Sequence, residues 1–192
     1  MIGSLPHITS IQRRYQKQKL SYASGTAVFH IGATVTGGVS GATAVIDKMS
    51  GTVTAGYLVL RSVVGTFGAS EAITDNGTPH GSATTNGLAT GYKNDSNEVE
   101  WYWITDQTSV PCRFYSQKGK VTVLTPGQFP GLQPYVILPP TVTIDPINYR
   151  INSTTPGYTP ASGLYQIQSI KAPYNRMAVD HFELELKELA SA

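Results

Sequence analysis

Four histidines, one cysteine and a thin scatter of carboxylates are the groups with which this chain could do chemistry, and their spacing argues against most of it. His7, His30, His80 and His181 stand far apart, with no pair at metal-ligand spacing. Cys112 is the sole cysteine, which excludes an intrachain disulfide and a multi-cysteine zinc site. On the β-like stretch Val110-Pro111-Cys112-Arg113-Phe114, it reads as a small buried hydrophobe rather than a nucleophile. Gly38-Val39-Ser40-Gly41 falls short of a nucleophile elbow, and no glycine-rich phosphate loop opens a helix. Asp47, Asp75 and Asn76 are groups that a cation or sugar would use, but turn formation accounts for them more simply. The expectation is a protein with no catalytic residues, no metal and no cofactor.

The charges that remain suggest contacts rather than reactions. Arg13, Arg14, Lys17 and Lys19 form a basic cluster. It reads either as a solvated strand end, the preferred reading, or as an arm meeting a phosphate or an acidic neighbour. Near the other terminus Glu183, Glu185 and Glu188 make an acidic strand face. Arg13, Arg14 and Lys17 of one copy would meet Glu183 and Glu185 of another and fix the register of an assembly. The net charge of +2 is too small to argue for nucleic-acid or membrane binding through a bulk field. Only 14% of residues are charged, against about 25% in ordinary domains, so the surface must be largely Thr, Ser, Asn, Gln and backbone. Residues 1–20 lack an apolar core segment and no long apolar run follows, so neither a signal peptide nor a membrane span is expected.

The elements that would carry these groups are strands. Ile8 to Tyr15 reads as an opening strand. Residues 26–91 then hold 12 of the 19 glycines but only two of the 14 basic residues, Lys48 and Arg61. Short apolar runs separated by Gly pairs there predict a small β-sandwich or barrel inserted into the body. After it, Glu98 to Ile104 alternates, and Val99, Trp101 and Trp103 are expected to form much of the body core. A turn at 106–109 leads into Val110-Pro111-Cys112-Arg113-Phe114-Tyr115. Tyr135 to Leu138, Tyr165 to Gln168 and Phe182 to Lys187 complete the strand set, the last two alternating apolar and polar. Arg113 is expected to pair with a carboxylate across the sheet or a subunit boundary. The predicted fold is mainly β: an antiparallel β-barrel body, 1–25 plus 92–192, interrupted by the module 26–91.

The order and spacing of these strands resemble the head-closure, or stopper, proteins of long-tailed bacteriophages. The resemblance rests on Ile8-Thr9-Ser10-Ile11-Gln12-Arg13-Arg14, the strand with Trp101 and Trp103, and Val110-Pro111-Cys112-Arg113-Phe114. It continues through Leu138-Pro139-Pro140, Ile144 to Ile151, Tyr165 to Lys171 and His181 to Glu188, covering 4–25 and 92–189. It implies a virion protein assembled in the host cytoplasm into a neck ring of six or twelve copies. The portal and adaptor rings would lie above and a tail-completion protein below, with no membrane involved. Loops converging on the axis would close the channel after genome packaging, with non-specific contact to double-stranded DNA. Carried onto this chain the closing loop is Gln117 to Pro134, including Lys118, Gly119, Lys120, Gly127, Gln128 and Gly131; read from residues alone, the same stretch is equally an ordinary hairpin and surface loop. The chain departs from the family in the size of the 26–91 connection and in the length of 152–163. Two other readings stand beside this one: a different tail-tube or tail-completion component, and a host-surface carbohydrate-binding module presenting Phe29, Tyr57 and Phe67.

Overall fold

A computed structural model describes residues 7–117, 133–153, 163–171, 174–175, 178–179 and 181–189. They divide into two units, called inner and outer for their place in the chain alone: the inner unit is Tyr15–Tyr102, and the outer unit is made of the chain up to Arg14 and from Trp103 onward. Among the described residues every regular element is a strand.

The outer unit is a closed barrel of six antiparallel strands: β1 (His7–Gln16), β9 (Trp101–Gln117), β10 (Gln133–Leu138), β11 (Tyr149–Ser153), β12 (Leu164–Lys171) and β15 (Phe182–Glu188), in the order β1-β11-β12-β15-β10-β9. The period-two pattern dictates its inside. Tyr149, Ile151 and Ser153 face inward on β11, Tyr165 and Ile167 on β12, Leu184 and Leu186 on β15, as the alternation predicts. Closure joins the sheet's two edges, so neither is left as a template for another chain. Cys112, Val136 and Ile11 are fully buried in the same core. Two short strands, β13 (Tyr174–Asn175) and β14 (Ala178–Val179), pair as a separate ribbon.

The inner unit is a second closed six-stranded barrel. It contains β2 (Gln18–Ala27), β3 (Thr34–Gly37), β4 (Thr43–Gly51), β5 (Ala55–Val64), β6 (Ala72–Asp75) and β7 (Ser82–Thr85), in the order β5-β4-β3-β6-β7-β2, with β2 returning to β5. A two-residue strand, β8 (Thr90–Gly91), adds to the start of β2. Leu20, Ile46, Leu58, Leu60, Phe67 and Ile73 fill the interior. The glycines allow close passage of the chain: a Cβ on Gly25 would lie 1.9 Å from the Val53 carbonyl oxygen.

Three expectations need correction. The inner unit is wider than 26–91, because β2 pairs with β5 from Gln18↔Leu60 to Ala23↔Ala55 and is therefore one of its staves. Composition changes at Gly25, inside that strand and near its end, so the glycine content marks a bend and not a boundary. The Trp101 and Trp103 face is not core: Trp101 is 42% exposed, Trp103 and Val99 are half-buried, and Val110, Cys112 and Phe114 take the interior positions of β9 instead. The expected turn at 106–109 is continuous strand, with Ser109 at φ 53° carrying the irregularity.

Candidate functional site

Of the expected channel-closing loop, Gln117 ends β9, while Lys118, Gly119, Lys120, Gly127, Gln128 and Gly131 lie outside the described residues. The stem that carries this loop is described. β9 and β10 pair antiparallel from Ile137↔Arg113 up to Gln133↔Gln117, so the ends of segment 118–132 are held side by side. The other edge of β10 is pinned to β15 through Tyr135↔Glu185 to Leu138↔Phe182. Glu185 adds a polar clamp, accepting from the Tyr135 hydroxyl, from Ser169 Oγ at 2.8 Å and from Lys171 Nζ at 3.2 Å. These hydrogen bonds, with Tyr135 foremost and the Lys171 charge behind, hold its carboxyl at about 2. Below the clamp Phe114, Cys112 and Val136 anchor the stem in the core. Burial pushes the Cys112 thiol up to about 12, so it is not poised for nucleophilic attack.

The five expected interface charges separate into different environments. Lys17 is not solvated: its ammonium lies 2.7 Å from Asp47 and 2.9 Å from Glu100, and its side chain is 14% exposed. Lys48 meets the second oxygen of Glu100 at 2.8 Å and Arg61 approaches Asp47 at 3.5 Å, so Lys17 is the centre of a charge network within the inner barrel. Burial would lower the Lys17 pKa, but the bonds and charges of Asp47 and Glu100 outweigh it and raise it. Glu185 is engaged within the outer barrel as described, and Glu183 takes the His181 ring at 3.1 Å. Arg13 packs 5.7 Å over the Tyr149 ring, and Arg14 donates from Nε to Asn148 Oδ1 at 3.1 Å. Arg113 is exposed and forms no ion pair among the described residues.

Of the polar residues singled out in the inner unit, Asp47 belongs to the Lys17 network and the others turn out to be loop fasteners. Asp75 is 4% exposed and accepts from the backbone of His30 (2.7 Å), Gly77 (3.1 Å) and Gly81 (2.6 Å), with the His30 ring at 3.0 Å. Asn76 caps the Thr34 N–H at 2.8 Å. Ser40, on the non-elbow Gly-Val-Ser-Gly stretch, donates from its hydroxyl to Glu71 at 2.9 Å. Glu71 was not singled out by sequence reasoning. It is 5% exposed and also accepts from the backbone N–H groups of Val39, Ser40 and Gly68. A glycine at 37 is required for this, since a Cβ there would sit 2.8 Å from both Glu71 oxygens.

A second feature that sequence reasoning missed is a cleft of about 200 Å³ on the outer barrel, lined chiefly by Arg14, Trp103, Ile147, Tyr149, Arg150 and Gln166. Its position follows from strand register. Gln12, Arg150 and Gln166 are consecutive partners across β1, β11 and β12, one residue out of step with the inward Ile11, Ile151 and Tyr165. They therefore stand on the outside of the barrel as a polar row. Arg150 donates from Nε to Gln12 Oε1 at 2.6 Å, and its guanidinium lies 4.4 Å from the Trp103 ring centroid. Burial pushes the Arg150 pKa down, and no carboxylate pairs with it among the described residues. The loop forming one wall is set by Asp145, which accepts from Ile147 N (2.9 Å) and Asn148 N (2.7 Å). A cation alternating with apolar positions on β11 was the only signal for this cleft in the sequence.

Compared with protein-family models, with curated proteins and with solved structures, the chain matches none of them.

Proposed function

We propose that this chain is a structural protein of the bacteriophage neck. It forms a ring between the portal–adaptor complex and the tail, closes the DNA channel after packaging and offers the surface on which the tail docks. It performs no reaction. One observation carries the reading: a closed six-stranded barrel holds both ends of the 118–132 connection on a paired, core-anchored stem. A gate requires a stiff support at both ends of the segment that closes the channel. Gly119, Gly127 and Gly131 supply hinges within that segment, and Lys118 and Lys120 supply charge for a DNA end. Burial of Phe29 and Phe67, 3% and 0% exposed, weighs against the carbohydrate-binding alternative, of whose three aromatics Tyr57 alone is half-buried.

The test is to replace 118–132 with Asn-Gly, which suits a two-residue hairpin between Gln117 and Gln133. Particles assembled with the shortened protein should carry it in the neck by electron microscopy but leave their genome open to nuclease. Particles that retain nuclease-resistant genomes would refute the gate. Absence of the wild-type protein from purified virions would refute the neck assignment altogether.

A further inference from the structure

The chemistry of the cleft on the outer barrel asks for a ligand. An arginine partly withdrawn from water without an acidic partner gives up hydration that one neutral hydrogen bond and a ring face replace only in part. Arg150 is in that position: half-buried, with Nε committed to Gln12, the guanidinium face laid on Trp103 and no carboxylate beside it among the described residues. This leaves the terminal NH2 groups as the part of the fork able to meet a second acceptor, with Trp103 fixing the plane in which they lie. Arg14 lines the same cleft and brings a second positive charge, oriented by Asn148. Gln166 adds an amide and Ile147, 67% exposed, adds an apolar edge. No acid is among the described residues that line it.

The size of the cleft restricts the occupant. Small-molecule and cofactor sites run to about 300–1,000 Å³, and this cleft is below that range at about 200 Å³. A nucleotide is too large for it. A phosphodiester group would satisfy the arginines but brings no apolar stem to cover the Ile147 edge. A planar anion on a short apolar stem fits the stacked arginine and the Ile147 edge best.

We propose that this cleft is a docking socket for a protein partner, receiving one aspartate or glutamate side chain whose carboxylate is bound by Arg150 and Arg14 beside Trp103. The inference is independent of the neck assignment, since any partner protein presenting such a side chain would serve.

The chain has two tryptophans, and only Trp103 lines the cleft, which provides an internal control. The full-length protein labelled with 15N is titrated with the capped tripeptide Ac-Gly-Glu-Gly-NH2 at constant ionic strength, and the two indole N–H signals are followed. The Trp103 signal should move saturably while that of Trp101 stays in place. The Gln tripeptide should bind about tenfold more weakly, having lost the charge-assisted pair. Arg150→Lys, which keeps the charge but loses the stacked fork, should weaken binding of the Glu peptide by a similar factor, and Arg14→Gln should weaken it too. Each variant is checked for an unchanged melting temperature; should Arg150→Lys fail that check, Arg14→Gln and the Gln peptide decide. Equal movement of both indoles, no saturation, or equal binding of the Glu and Gln peptides would overturn the proposal. Tighter binding of inorganic phosphate than of the Glu peptide would overturn the carboxylate assignment.

Discussion

Replacing Glu71 with glutamine tests how the inner barrel is fastened, and the structure sets the size of the effect. One Glu71 oxygen, Oε2, accepts from Val39 N at 3.1 Å and Ser40 N at 2.9 Å. The other, Oε1, accepts from the Ser40 hydroxyl at 2.9 Å and from Gly68 N. A glutamine keeps its oxygen best at the Oε2 position, where two backbone donors converge. Its NH2 group then faces the Gly68 N–H, donor against donor, and the Ser40 hydroxyl, which also accepts from Ala42 N, must turn its proton away. Leaving the Gly68 donor unmet costs about 1–3 kcal/mol, and the bonds that survive lose their charge assistance. A net loss of about 3 kcal/mol follows. At about 4–8 °C per kcal/mol for a unit of this size, the inner unit should melt roughly 12–24 °C lower. Scanning calorimetry measures this, with hydrogen exchange at the Ile46 and Leu58 amides identifying which transition belongs to the inner barrel. The pH dependence is a second constraint. Burial alone would raise the Glu71 pKa, but the bonds from Ser40, Gly68 and Val39 win and lower it. A lowered folded pKa gives stability that is present above the unfolded value, about 4.3, and lost as the pH falls through the folded one. Glutamine has no such titration, so the gap between wild type and variant should be widest at pH 7 and narrow below about pH 4. A gap under about 1 kcal/mol at pH 7, or one unchanged between pH 7 and 3, would refute the reasoning.

Two further perturbations probe the charge network and the barrel core. Lys17→Gln removes the cation between Asp47 and Glu100 and leaves two half-buried carboxylates facing each other across its place. The inner unit should lose about 2 kcal/mol by urea denaturation, less than a fully buried pair because each acid still has Lys48 or Arg61 beside it; a loss below about 0.5 kcal/mol would show the network to be ornamental. The Cys112 thiol, fully buried and pushed up to about 12, should resist a disulfide reagent at pH 8 until the outer barrel unfolds; labelling at the rate of a free thiol in native buffer would contradict its place in the core.

The outer barrel was largely legible in the sequence because its strands are wet on one face. Tyr165, Ile167, Leu184 and Leu186 alternate with Gln166, Gln168, Glu185 and Lys187, and a two-residue period admits one inside. The same rule misled at Val99, Trp101 and Trp103, where alternation is equally regular. Periodicity reports that two faces differ; it does not report which of them meets the core. Aromatic mass suggested the tryptophan face, but Val110, Cys112 and Phe114 farther along β9 occupy the interior. The module boundary failed for a different reason. Glycine and charge content follow the demands of tight turns and close packing, whereas a barrel's limits follow strand pairing. β2 carries the basic Lys19 at one end and the Ser24-Gly25 bend near the other, so composition divides what hydrogen bonds join.

The residues most engaged in the structure were the least visible beforehand, and the cause is physical. Glu71 holds loops thirty residues apart in the chain, and Arg150 meets Gln12 across a strand pair whose register depends on the closure of the whole barrel. Such contacts are written in topology, not in local pattern, so a lone acid in a glycine-rich stretch and a lone arginine on a short strand look alike in sequence. The structure separates them by what surrounds the charge. Glu71 has four donors on its carboxylate and is satisfied within the fold. Arg150 has one glutamine and an indole face, with no carboxylate among the described residues. The first should therefore report on stability alone, and the second on binding, a division that the paired measurements on Glu71→Gln and Arg150→Lys put to the test.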